Sequence, residues 1–139
     1  PCQSLMWNRI LRVADGLIHL LKSAEFENGE SFWDRTVLYM PSEFGRVQRR
    51  PGNTWDFGSA HDFQGANIMI SPRINGGQLF GGIDRTTGDL LAFDPQSSTP
   101  TVDPSRPGID EKEGFAAVLD VMGVPTTGSG LEPVTFLRR

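Results

Sequence analysis

Met6, Ile10, Val13, Ala14, Leu17, Leu21 and Ala24 recur at spacings of three and four, with Arg9, Arg12, Asp15, Lys22 and Ser23 on the intervening face. This pattern predicts an amphipathic helix over residues 4–24. Leu11, Ile18 and Leu20 widen the apolar stripe beyond one seam, so the helix is expected to pack against more than one neighbour. Gly16 weakens it locally by about 1 kcal/mol relative to alanine. Asn28-Gly29 follows, a pair suited to a left-handed C-terminal cap.

A different pattern begins at Arg35. Val37-Leu38-Tyr39-Met40 is a continuous apolar run, which predicts a strand over 35–40 buried on both faces, as in a parallel sheet. It stops at Pro41-Ser42-Glu43-Phe44-Gly45-Arg46. Parallel sheets gather their chemistry just beyond the carboxyl ends of their strands, and Glu43 and Arg46 fall there. Residues 44–64 then read as a long irregular loop, and Trp55, Phe57 and Phe63 within it predict an ordered segment lining a cleft. A second short strand is predicted over 66–70. Gly76-Gly77 and Gly81-Gly82 bracket Gln78-Leu79-Phe80, a short strand or turn. Four prolines make 94–108 an extended surface connection. A last helix runs from Asp110 or Glu111 to Met122, with Phe115, Val118, Leu119 and Met122 on one side and Gly123 as its stop. Residues 134–137 add an edge strand or pack down.

These elements predict an α/β fold: the C-terminal part of a mostly parallel sheet flanked by helices, with residues 1–139 forming part of one domain. Two or three strands make a poor parallel sheet, because each needs neighbours on both edges. Completion by preceding sequence or by another chain is therefore expected. The chain opens at Pro1 without an initiator methionine, as a processed product or a piece of something longer would.

Composition narrows the partners. The 139 residues are 37% hydrophobic and 22% charged, with a formal charge of -4, ordinary for a soluble globular protein. That balance argues against nucleic acid, which calls for a concentrated basic stripe; Arg46, Arg49 and Arg50 are the nearest approach to one. Cys2 is the only cysteine, so no disulfide forms within the chain. No apolar run approaches the roughly 20 residues of a membrane-spanning helix.

Glu43, His61 and Asp62 form a partial ligand set for zinc, manganese or iron, which accept nitrogen and oxygen donors. Arg46 can hold a phosphate, sulfate or carboxylate oxygen through its paired donors. Each has a plainer role beside the chemical one: Glu43 and Arg46 can pair to close a loop, and His61 and Asp62 can cap it. His19 belongs to the helical pattern as a core-margin residue, and Asp84 to a turn with Thr86, Thr87 and Gly88. Ser42 has no base nearby in sequence and is assigned no catalysis.

Asp34-Arg35-Thr36-Val37-Leu38, Ser42-Glu43-Phe44-Gly45-Arg46, His61-Asp62-Phe63-Gln64-Gly65-Ala66 and Gly76-Gly77-Gln78-Leu79-Phe80-Gly81-Gly82-Ile83-Asp84, with the closing helix 114–123, resemble the C-terminal portion of the bacterial family known as domain of unknown function 1501. That family is distantly similar to the alkaline phosphatase and sulfatase superfamily, with a central sheet flanked by helices and a metal site at the strand ends. The resemblance implies a hydrolase-like protein related to metal-dependent phosphate and sulfate ester hydrolases. It also implies export to the periplasm, cell surface or outside, since members commonly carry a twin-arginine signal. A non-catalytic binding or assembly component on the same fold is the alternative. Two departures bear on the choice. His61-Asp62 stands where the family has Asp-His, and Phe44 follows Glu43 where the superfamily has a histidine. The superfamily's nucleophile belongs to a first half of the domain that these residues do not include.

Overall fold

A computed structural model describes residues 2–42, 45–46, 61–62, 66–83, 85–86, 90–93, 100–101, 111–131 and 135–139. The chain divides into two units, Pro1–Thr36 and Val37–Arg139.

The first unit is built on helix α1, Cys2–Ser23, which has Lys22 in its last turn, where a cation complements the helix dipole. The predicted C-terminal cap is not what Asn28-Gly29 forms. The helix ends before it, and Asn28 and Gly29, at φ 55° and 81°, are the central residues of a tight turn closed by Glu30 N–H donating to Glu27 O at 2.9 Å. Positive φ at both central positions is the mark of a type I′ hairpin turn, which Asn-Gly adopts with least strain. The hairpin brings Glu25 opposite Ser31 in a β-bridge, and Phe32 N–H donates to Ala24 O at 3.0 Å. Phe32–Arg35 then forms a 3-10 turn. The Asp34 carboxylate accepts from both the backbone N–H and the hydroxyl of Ser31, at 2.8 and 2.7 Å. Phe26 and Phe32 meet edge to face at 5.2 Å. Arg35 lies 4.8 Å over the Phe26 ring and pairs with Glu30 at 2.8 Å. Ala14 and Trp33 are the buried residues of this unit among those described.

In the second unit, strand β1, Leu38–Pro41, pairs with β4, Asn67–Ile70. The pairing is antiparallel, with Leu38 opposite Ile70 and Pro41 opposite Asn67. Among the described residues every ladder is antiparallel, which differs from the mostly parallel arrangement expected. Leu38, Tyr39 and Met40 are half-buried rather than enclosed on both faces. A parallel partner needs a crossover, usually helical; here the chain goes out through β2, Gly45–Arg46, and comes back through β3, His61–Asp62, which pair with one another.

Beyond these, β5 (Gly82–Ile83), β6 (Leu90–Phe93) and β7 (Pro100–Thr101) form a three-stranded antiparallel sheet in that order. Strand β6 is an addition to the expected elements, although Leu90-Leu91-Ala92-Phe93 is an apolar run after a Thr-Gly-Asp turn signal. Strand β7 falls inside the predicted proline-rich connection; the rest of 94–108 lies outside the described residues. Gln78-Leu79-Phe80 forms no strand: Leu79 is exposed, while the Phe80 ring stands 4.7 Å from that of Phe136. The C-terminal segment packs down, as one of its two predicted outcomes. Thr135–Leu137 is a 3-10 turn, Arg138 bridges Ile74, and the Asn75 side chain donates to the Arg138 carbonyl at 3.0 Å.

Helix α2 spans Glu111–Val121. Its end matches the expected stop: Gly123, at φ 74°, donates to Asp120 O at 2.9 Å and Val124 donates to Leu119 O at 2.9 Å, the two bonds of a Schellman cap. Its covered face matches the predicted one only in part, since Val118 and Leu119 are half-buried. Gly114, Ala116, Ala117 and Val121 are buried, whereas Phe115 and Met122 are exposed. The reason is close approach: a methyl group at Gly114 would collide with the Tyr39 hydroxyl of β1 and lie 3.3 Å from the Asn67 amide nitrogen of β4. Gly114 lets the helix settle on the ladder, and Phe115 and Met122 turn outward.

Candidate anion and metal site

Ser42 ends the main ladder and leads into the candidate residues. Its N–H donates to Ala66 O at 3.0 Å, and its hydroxyl accepts from Ala66 N–H at 2.8 Å. Ser42 thereby continues the β1–β4 pairing by one residue. This is a structural task for a hydroxyl that the sequence left without a catalytic role.

The register then changes. Two residues separate Ser42 from Gly45, and three separate Asp62 from Ala66, so the β2–β3 ladder is offset by one residue from β1–β4. Such an offset exchanges the residues that occupy each face. In β2–β3, Gly45 is opposite Asp62 and Arg46 is opposite His61. Directly opposite residues of an antiparallel pair share a face, and successive residues of one strand alternate. The ladder therefore brings Arg46 and His61 to one pair position and gives Asp62 the next, across from a glycine.

Of the four candidate residues, Arg46, His61 and Asp62 are placed along the backbone in this way, and Glu43 lies outside the described residues. So do Trp55, Phe57, Phe63, Arg49, Arg50 and Asp84. Glutamate, histidine and aspartate are a suitable donor set for zinc, manganese or iron. His61 and Asp62 are consecutive strand residues, however, so a metal held through one of them draws its further ligands from elsewhere. Among the described residues there is no group of three or more His, Cys, Asp and Glu side chains that could hold an ion.

His19 is set aside by its surroundings. It is not at a core margin: it sits on the exposed side of α1, 3.7 Å from Asp15 one turn earlier, and both side chains are largely in solvent. Among the described residues no helix is long and apolar enough to cross a membrane. Comparison of the chain with protein-family models, curated proteins and solved structures returns no match.

Proposed function

We propose that this chain is the C-terminal segment of an exported, hydrolase-like protein acting on phosphate or sulfate esters, with Arg46 and His61 receiving the anionic oxygens of the ester. The observation that carries this is the register of β2 and β3, which sets a guanidinium-bearing and an imidazole-bearing residue opposite one another. Arginine offers two parallel donors to a tetrahedral oxyanion, and histidine adds a third donor in its N–H or protonated form. The motif resemblance supplies the reaction class and the export. Glu43 and Asp62 are the carboxylates through which a divalent zinc, manganese or iron ion would be held, with His61 as the alternative nitrogen donor. The nucleophile and the remaining sheet would come from an upstream half or from another chain.

Calorimetric titration of the purified chain with inorganic phosphate and with sulfate tests the anion role. Saturable binding that is lost in Arg46→Met supports it, and titrations in which wild type and Arg46→Met behave alike would overturn it. Elemental analysis tests the metal role separately: a stoichiometric ion lost in Glu43→Gln supports it, and no metal above background, with stability unchanged by chelation, removes it.

A second reading, a non-catalytic binding or assembly component, is favoured by Phe44, the residue that stands where the resembled superfamily uses a histidine. Capture of one partner by both wild type and a Glu43→Gln/His61→Ala variant would support it.

A further inference from the structure

The sequence holds two Asn-Gly pairs, Asn28-Gly29 and Asn75-Gly76, and the fold treats them differently. An asparagine followed by glycine can react with its own backbone: the next amide nitrogen reaches the side-chain carbonyl carbon through a five-membered ring, and glycine brings no Cβ to obstruct the closure. Whether it does so depends on what holds the two groups.

Asn75-Gly76 is tied at both reacting ends. The Asn75 amide donates to the Arg138 carbonyl at 3.0 Å. Asn75 N–H donates to Leu137 O at 2.9 Å, and Gly76 N–H, which would supply the attacking nitrogen, donates to Ile74 O at 3.0 Å. Asn28-Gly29 has none of these restraints. Both residues are exposed, and among the described residues neither the Asn28 side chain nor Gly29 N–H has a hydrogen-bond partner. Attack requires rotation about the Asn28 Cα–C bond, which opens the tip closed by Glu30 N–H to Glu27 O at 2.9 Å. An exposed turn tip opens at small free energy, whereas Asn75 must release side-chain and backbone bonds together.

We propose that Asn28 is a self-modification site, an asparagine that deamidates through a cyclic imide at the hairpin tip and thereby ages the first unit. Gly29 N gives its proton to hydroxide or water and attacks Asn28 Cγ. The N–Cγ bond forms, the Cγ–Nδ2 bond breaks, and the amide nitrogen takes a proton from solvent and leaves as ammonia. Water then opens the imide. Cleavage at Cγ yields aspartate; cleavage at the Asn28 backbone carbonyl yields isoaspartate, whose main chain runs through Cγ and is one carbon longer. Either product adds a negative charge beside Glu27 and Glu30, the latter being the partner of Arg35 at 2.8 Å. Isoaspartate also lengthens a turn built on two residues of positive φ. The bonds from Phe26 N–H to Glu30 O and from Phe32 N–H to Ala24 O, at 2.8 and 3.0 Å, are loosened as a result. This goes beyond the ester-binding proposal and stands independently of it.

Incubation of the full chain at mildly alkaline pH, followed over time by peptide mass spectrometry with separation of aspartyl and isoaspartyl forms, tests the site. Asn28 is expected to convert to both products with first-order kinetics, about tenfold or more faster than Asn75, whose hydrogen bonds must break first. In denaturant the two rates should converge, because the protection of Asn75 is then lost. Equal rates in the folded chain, or a faster reaction at Asn75, overturn the proposal. So does an Asn28 that stays an amide in the folded chain while the denatured chain converts. Hydrogen exchange on the isoaspartyl fraction tests the consequence: Phe26 and Phe32 amides are expected to exchange faster, with an Asn28→Asp chain, which has the charge without the extra carbon, closer to wild type. Unchanged exchange in that fraction overturns the loosening of the hairpin.

Discussion

Ser42 and Ala66 bond to one another twice, through Ser42 N–H to the Ala66 carbonyl at 3.0 Å and through Ala66 N–H to the Ser42 hydroxyl at 2.8 Å. The pair closes the β1–β4 ladder immediately before the register shifts and the candidate residues begin. Replacing Ser42 by alanine removes the acceptor for Ala66 N–H. A loss of about 0.5–1 kcal/mol is expected, since water can reach the exposed site. Chemical denaturation measures it. Ser42→Ala should retain at least half of wild-type anion binding, because the hydroxyl faces the ladder rather than a ligand; abolished binding would contradict its structural role.

Gly114 and Gly16 are both helical glycines, yet alanine should act on them in opposite directions. At Gly16 an added methyl group meets nothing within 4 Å. Gly16→Ala is expected to stabilise by about 0.5–1 kcal/mol through backbone entropy and helix propensity. At Gly114 the methyl group collides with the Tyr39 hydroxyl and approaches the Asn67 amide. Gly114→Ala is expected to cost about 1–3 kcal/mol, despite the same gain in propensity. Removing the colliding atom with Tyr39→Phe should recover part of that cost. Thermal melts of the three variants and of Gly114→Ala/Tyr39→Phe check the set, and equal effects at the two glycines would contradict the helix-on-ladder contact.

The Asn28-Gly29 turn predicts a third result. Gly29 holds φ at 81°, where a side chain is strained. Gly29→Ala is expected to destabilise the first unit by about 1 kcal/mol. Hydrogen exchange should report this locally, with faster exchange at Phe26 and Phe32, whose amides bond across the hairpin. Unchanged protection at both amides would argue against the turn.

Arg46 provides a test of chemistry rather than of stability. If its paired donors receive an oxyanion, Arg46→Lys keeps the charge but loses the fork. Phosphate and sulfate affinity should then fall by about tenfold, which corresponds to roughly 1.4 kcal/mol. Arg46→Met should abolish the binding. A lysine variant that binds as tightly as wild type would reduce the role of Arg46 to a diffuse positive charge.

The elements that the sequence announced most clearly are those whose causes are local. Helix α1 agrees with its apolar spacing to within two residues at its start and one at its end, and α2 stops at Gly123 because a left-handed residue was required there. Asn28-Gly29 was legible as a site of positive φ. Whether it capped a helix or turned a hairpin depended on Phe32 returning to Ala24, a contact outside the local pattern. Strand β1 was legible as apolar and extended, but a run of four apolar residues says nothing about the direction of its partner.

The chain by itself determined where helices and strands form, because propensity, apolar periodicity and glycine conformation act over a few residues. Only the tertiary structure decided that the described strands pair antiparallel, that α2 buries Gly114 and Ala117 while exposing Phe115 and Met122, and that Arg46 is opposite His61. Those outcomes depend on backbone approach and on register between segments distant in sequence. A one-residue offset between two ladders changes which residues meet without changing any local pattern.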